Sequence, residues 1–362
     1  MIHKILMITA FPPNQKTAGQ DYTRRLINDL VKRGHSVDMI YASYPEHSVE
    51  LPEEVNVLRV IKPSLLNCLK RIYIHPFFSK RYELSIRKYI QSISSNYDML
   101  YFDFSQVHLY SKYIDHPCKV LMMHDVIFQK YSRKTGFLNV EWIKIWEKKL
   151  LNGAKAIFSF SDKDVKIVKD VYDIDSASVN FYLKSDRYVY PENKEIFDKM
   201  CFYGAWNRSE NIQALEYFIE NVFPRLNKKR EFCVIGGGME DALRESVEAK
   251  GIKCLGFVDD PIDELASCQA LIAPLHQGAG VKVKVVDALT AGTPVIGTDV
   301  AFEGLTDNKK NGLFYYADSA EEFAEVIDNW VNKDIAFKND AASEFYERYN
   351  SNHFTDRMVE IE

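Results

Sequence analysis

No two of the six cysteines in this 362-residue chain form a CxxC pair or stand at a metal-ligand spacing. Cys68, Cys118, Cys201, Cys233, Cys254 and Cys268 are scattered, several of them inside apolar runs. This excludes a disulfide framework and predicts reduced core thiols in a cytosolic protein. Long apolar runs are absent too: nothing reaches the ~18 consecutive residues that a membrane span needs. The N-terminal MIHKILMITAFPP carries a short run that ends in Pro-Pro and lacks a small-residue cleavage site. It reads as a first strand, not a signal peptide. Nor is there a surplus of positive charge. With 46 basic and 51 acidic residues the net charge is −5, which gives no reason to expect wholesale nucleic-acid binding.

What is present builds cores. The length allows one large domain or two of ordinary size, and 21 Tyr and 22 Phe supply bulky apolar volume. KILMIT reads as a continuous apolar strand, followed by a Pro/Gly loop and a helix with Leu26, Ile27, Leu30 and Val31 on one face. RGHSVDMIYA, DMLYFD, KVLMMHD and KAIFSFS continue the pattern, each strand followed by helical periodicity. Continuous apolar strands with helical crossovers predict a parallel sheet covered on both faces.

From residue 200 the same grammar restarts with MCFYGA, EFCVIGGG, IKCLGFV, ALIAPL and TPVIGTD. Helices are expected over 209–223, with Ile212, Leu215, Ile219 and Val222 inward, and over 319–330, with Phe323, Val326, Ile327 and Trp330 inward. The polar, aperiodic KSDRYVYPENKE at 184–195 is the expected linker. Two doubly wound halves predict a cleft between them, with ligands beyond the carboxyl ends of the strands.

The stretch HQGAGVKVKVVDALTAGTPVIGTD, residues 276–299, sets Lys282 and Lys284 at the start of a helix. Cations there are disfavoured by the helix dipole, by a few tenths to about 1 kcal/mol each. A bound polyanion reverses that sign. The preceding Gly278-Ala279-Gly280 lets backbone N–H groups approach such a ligand. Gly280, Lys284, Asp287 and Ala291 fall on one helical stripe. Gly280 to Asp287 spans roughly 10 Å at helical rise, the reach from a diphosphate to ribose hydroxyls. The competing reading is solvated lysines on an exposed face. The core strand that follows argues against it, and a nucleoside diphosphate is the expected ligand.

At these residues the sequence resembles the family-4 (group 1) retaining glycosyltransferases with the GT-B fold. GAGVKVKVVDALTAGTPVIGTDVAFEGL is similar to their donor segment, a Gly-rich turn with a basic and an acidic residue before AxxxGxPV. The likeness extends through FPPNQKTAGQ, LVKRGHSV, VLMMHD, FYGAWNRSENIQAL, FCVIGGG, LGFVDD and CQALIAPL, in that order. It implies two Rossmann-like domains facing each other across a cleft, and transfer of a sugar from a nucleotide sugar with retention. Two positions depart from the family pattern. The first of its two donor-segment glutamates falls at Ala279 and the second at Asp287, so the sugar is expected to be held partly by backbone N–H groups, Val281 included. The usual Gly-Gly of the N-terminal loop is Ala18-Gly19.

The resemblance also assigns roles elsewhere. His124, ending a strand, becomes a contact to donor sugar or phosphate and, with Lys284, a catalytic candidate; alone it would read as a structural histidine. Asp125 either orients that imidazole or caps the next turn. Gly204 and Arg208 fall on the phosphate-side loop, where a guanidinium suits phosphate geometry, although Arg208 reads equally as solvated. Gly237 borders the nucleotide, and Gly256, Phe257 and Val258 border the base. GGG at 236–238 is not GxGxxG and lacks the acidic partner, so a dehydrogenase is disfavoured.

Residues 59–88 hold eight Lys or Arg against the single acid Glu83, interleaved with apolar side chains. That composition suits peripheral contact with an anionic membrane; the alternative is an ordinary solvated face. Two Asp-x-Asp triplets, 162–164 and 173–175, have structural explanations as cap and turn, so no metal or other cofactor is expected. The expected organisation is an acceptor-side domain over 1–185, a nucleotide-sugar domain over 196–337, and a helical segment over 338–362 packing back on the first. The acceptor is expected to be a glycan or lipid-linked saccharide, and the location cytoplasmic, on the inner membrane face if the basic segment docks. Two other functions fit the same fold: a nucleotide-sugar 2-epimerase, and a non-catalytic subunit that binds a partner transferase or a glycan.

Overall fold

The continuous apolar runs read from the sequence form strands, most of them buried on both faces; IKCLGFV, whose strand Lys253–Gly256 is exposed to half-buried, is the exception. In the computed structural model, residues 2–15, 17–132, 136–180, 188–191, 194–258, 260–278, 280–305, 312–350, 354–359 and 361 are described. They form two units, Met1–Tyr182 with Asn352–Glu362, and Leu183–Ser351.

The first unit is built on seven strands: β1 (Lys4–Thr9), β2 (Ser36–Ala42), β3 (Asn56–Ile61), β4 (Met99–Asp103), β5 (Lys119–Met123), β6 (Ala156–Ser159) and β7 (Ala177–Ser178). Their order is β3-β2-β1-β4-β5-β6-β7, and every ladder is parallel. Ile5, Leu6, Met7 and Ile8 of β1 are completely buried. Fully burying such a side chain stabilises the fold by about 1.5–3 kcal/mol. The helix Ala18–Lys32 starts at Thr17, whose hydroxyl accepts from Gln20 N–H, and buries Tyr22, Leu26, Ile27 and Leu30. β3 was not expected. As an edge strand it is largely solvent-facing, so NVLRVI lacks the unbroken apolar character of its neighbours.

The second unit repeats the winding with β8 (Lys199–Tyr203), β9 (Glu231–Ile235), β10 (Lys253–Gly256), β11 (Ala270–Ala273), β12 (Val295–Gly297) and β13 (Phe314–Tyr316). The order is β10-β9-β8-β11-β12-β13, again all parallel. The helix expected over 209–223 is α-helical only over Ser209–Tyr217; a π turn and a 3-10 turn carry it to Arg225. The helix expected over 319–330 is Ala320–Asp328, started by a capping box between Ser319 and Glu322.

Much of the linker lies outside the described residues. Of the rest, Tyr190 is buried in the second unit, its hydroxyl donating to the carbonyls of Ala266 and Ala291. The C-terminal segment is divided. Helix Ile335–Asn350 belongs to the second unit, where buried Lys338 donates to Ala266 O, Cys268 O and Thr293 Oγ1. Burial pushes that ammonium down to about 7. The short helix Phe354–Val359 packs on the first unit, with Phe354 against Tyr22, Tyr101 and Phe158. The thiols are unpaired, and Cys118, Cys201, Cys233 and Cys268 are buried. Among the described residues no helix is long and apolar enough to cross a membrane.

Candidate active site

In both sheets the winding direction reverses beside the first strand of the unit, between β1 and β4 and between β8 and β11. Loops at the carboxyl ends there diverge and leave room for a ligand. The sequence-predicted residues lie at the carboxyl ends of the strands, at or after β1, β5, β8, β9, β10 and β11.

In the second unit four loops converge. Gly236 N–H donates to Gly256 O at 2.8 Å, and Trp206 N–H donates to Gly237 O at 2.9 Å. Gly236 has φ +119, and a Cβ there would stand 1.9 Å from Gly204 O. Only glycine lets the loops after β8 and β9 meet this closely. Gly237 lies against Phe257, which is 77% exposed and presents its ring to solvent beside half-buried Val258. Gly204, Gly237, Gly256 and Phe257 are thus brought together, and Arg208 follows as the N-cap residue of the helix Ser209–Tyr217.

The opening lysines are not equivalent. The helix runs Val283–Thr290 with Lys282 as N-cap and no side chain capping it. Gly280 therefore lies before the helix, in the left-handed region at φ +70. Ala291 is the C-cap, so the expected stripe reduces to Lys284 and Asp287, one turn apart. Lys282 Nζ donates to Gly280 O at 2.6 Å and pairs with Glu303 at 3.1 Å. It pins the glycine turn. Lys284 Nζ donates to Asn211 Oδ1, and Asn211 Nδ2 donates to Ala205 O at 2.8 Å. Burial, with Arg208 and Lys282 nearby, pushes the Lys284 ammonium down to about 8. A Cβ on Gly204 would stand 3.5 Å from Lys284 Nζ, so the first and fourth loops meet at this ammonium. Gly278 and half-buried Val281 flank it in the chain, and Ala279 lies outside the described residues.

In the first unit His124 follows β5. Its Nε2 bonds Asp103 Oδ1 at 2.9 Å, so Asp103, not Asp125, orients the imidazole. The ring of Phe104 lies flat on it at 3.5 Å between centroids. Phe104 has φ +71, a backbone state costing a side chain about 1–3 kcal/mol and concentrated at functional sites. A Cβ on Gly19 would stand 2.9 Å from Phe104 Cζ and 3.2 Å from His124 Nδ1. Gly19 is required there by close approach.

Asn211, Asp103 and Phe104 were not singled out from the sequence. Asn211 lies four residues before Leu215 in the buried stripe of its helix. A polar residue at such a position needs a partner, which was the available signal. Asp103 closes an otherwise apolar strand, a weaker cue.

Residues 19–180 match the family described as Glycosyltransferase Family 4, and residues 198–333 match Glycosyl transferases group 1. The chain belongs to the family-4, group 1 glycosyltransferases. An uncharacterized glycosyltransferase of Methanocaldococcus jannaschii is 23% identical, over 99% of this chain and 97% of that one. TarM of S. aureus superposes with a TM-score of 0.72 at 11% identity, covering 99% of each chain. HepE of Anabaena gives 0.65 at 13% identity, over 96% of this chain and 95% of HepE. These likenesses establish the GT-B fold.

In this glycosyltransferase the first Asp-x-Asp triplet starts a helix and the second lies in an exposed turn with a surface ion pair. Ser161 caps the helix Asp162–Tyr172 by accepting from Asp164 N–H at 3.1 Å. Asp173 and Asp175 both pair with Lys169, at 2.9 and 3.1 Å.

Proposed function

We propose that this glycosyltransferase moves a sugar from a nucleoside-diphosphate sugar to a glycan or lipid-linked saccharide, with retention and without a metal. The observation that carries the reading is the gathering of Arg208, Lys282 and Lys284 at the glycine loops after β8 and β11. Burial, helped by the nearby Arg208 and Lys282, holds Lys284 near the point of losing its proton. A diphosphate offers the counter-charge that keeps it protonated. The HepE structures contain UDP, or UDP and glucose, and the TarM complex contains UDP, ligands of the expected class.

The residues divide the work. Lys284, Arg208 and the uncapped start of Val283–Thr290 bind the diphosphate and take up leaving-group charge as fixed donors. Lys282 acts by holding the Gly280 turn to Glu303. Asp287 accepts from the ribose hydroxyls, Phe257 stacks on the base, and His124 contacts the sugar. Retention rests on the family likeness. Incubation with a panel of nucleotide sugars tests the reading: the account expects free nucleotide and, with acceptor, a product of retained anomeric configuration. An epimeric nucleotide sugar, or no donor binding, contradicts it.

The acceptor side carries a membrane surface. Leu65, Leu66, Leu69, Ile72 and Tyr73 are each more than 60% exposed. Tyr73 O accepts from Trp146 Nε1 at 2.9 Å, and His75 bonds Asn139 at 3.0 Å. These bonds set the segment beside exposed Phe137 and Leu138. Exposed Lys62, Lys70, Lys80 and Lys88 belong to the same segment. Apolar side chains among cations match the interface of an anionic bilayer, and the cytoplasmic face supplies one.

A further inference from the structure

Asp103 is fully buried and has four side-chain partners. Its Oδ2 accepts from Thr9 Oγ1 at 3.2 Å and Thr23 Oγ1 at 2.5 Å. Its Oδ1 accepts from Tyr101 OH at 3.4 Å and bonds His124 Nε2 at 2.9 Å. These partners come from β1, β4, the helix Ala18–Lys32 and the loop after β5, so the carboxylate joins the elements around the turn in winding.

A carboxylate only accepts, so the hydrogen between Asp103 and His124 belongs to Nε2. In the neutral imidazole the lone pair then resides on Nδ1. That atom faces Gly19, standing 3.2 Å from where a Cβ on it would lie. Among the described residues no protein group is hydrogen-bonded to Nδ1. The plane of the ring is fixed as firmly as its edge. Phe104 stacks on one face at 11°, while Tyr22 and Phe160 meet the imidazole edge-on at 5.5 and 5.1 Å. An imidazole needed only for packing requires neither a buried carboxylate nor a strained aromatic platform.

We propose that Asp103 is the positioning residue of His124, fixing the tautomer that presents Nδ1 as an acceptor to a hydroxyl of the bound sugar. The inference rests on the reading of His124 as a sugar contact and gives that contact a direction: the sugar donates and the protein accepts. Asp103 touches no substrate and acts through the imidazole alone.

The test is nitrogen NMR on the full chain labelled at histidine, with the His124 signals identified by their loss in His124→Gln. At pH 8 the account expects hydrogen on Nε2 and a bare Nδ1. In Asp103→Asn the amide can donate to Nε2, so the hydrogen moves to Nδ1. Turnover should then fall about tenfold or more, as expected when a histidine is held in the wrong tautomer, with donor affinity changed less than twofold. Thr9→Val removes another partner of Asp103 and should keep both tautomer and turnover. Hydrogen on Nδ1 in the wild-type protein overturns the proposal, and that measurement does not depend on Asp103→Asn folding. So does Asp103→Asn that leaves tautomer and turnover unchanged. Absence of any transferase activity, with the Nε2 tautomer intact, would instead contradict the functional reading alone.

Discussion

Lys284 donates to Asn211 Oδ1, and the same amide donates to Ala205 O at 2.8 Å. The buried ammonium is aimed by a side chain that is itself locked, so it meets a phosphate without reorganising. The arrangement is costly to the empty protein. Burial lowers Lys284 from 10.5 to about 8. Below pH 8 folded and unfolded chains are both protonated, and the folded one bears the full penalty of the buried charge. Between the two values the folded state sheds its proton first, so the penalty fades and stability rises with pH. Lys284→Met should remove a cost on the order of 3 kcal/mol, offset by about 1 kcal/mol for the lost Asn211 bond. Urea unfolding of the ligand-free protein should show a net gain at pH 7 that shrinks through pH 8 to 10.5. Destabilisation at pH 7 would mean the ammonium supports the fold.

The same titration predicts proton uptake. Near pH 8 a bound diphosphate should restore the full charge on Lys284, so binding absorbs protons. Calorimetry in two buffers of different ionisation enthalpy measures this directly. Lys284→Met should abolish the uptake, and equal uptake in both proteins would assign it elsewhere.

Much of this site was legible before the structure, because its parts are backbone demands. Gly204 and Gly237 are glycines where loops touch, and KILMIT is apolar because both faces of β1 are covered. The edge strand β3 was illegible for the opposite reason, since solvent relieves it of any apolar pattern. Gly280 was read into the helix because periodicity is blind to its φ of +70. Lys282 and Lys284 looked alike in sequence, and only the distant Glu303 and Asn211 separate a turn-holding lysine from an aimed one. Asp103 is a contact across 21 residues to His124, which no local pattern encodes.

Asp287 separates ribose from phosphate recognition. Asp287→Asn should weaken a nucleoside and its diphosphate by similar factors, because both carry the ribose. Loss confined to the diphosphate, measured by the same calorimetry, would move Asp287 to the phosphate side.

His124→Ala should lower kcat with little change in nucleotide affinity, the pattern of an interaction made mainly in the transition state. Full turnover in a variant that melts early would make the imidazole a structural group.

The apolar surface predicts sedimentation with anionic liposomes, weakening as salt rises. Leu66→Asp with Leu69→Asp, or charge removal at Lys70, Arg71, Lys80 and Arg81 together, should abolish it. Unchanged sedimentation in both variants would leave the surface merely solvated.

The central claim is that Lys284 binds the diphosphate without a metal. The direct measurement is calorimetric titration, in EDTA, of the nucleoside diphosphate released from the active donor and of the corresponding nucleoside. In Lys284→Ala the account predicts a loss of about 1.5–3 kcal/mol for the diphosphate, the worth of a charge-assisted hydrogen bond, and almost none for the nucleoside. Equal losses for the two ligands, or wild-type binding that appears only when magnesium or manganese is restored, would contradict it.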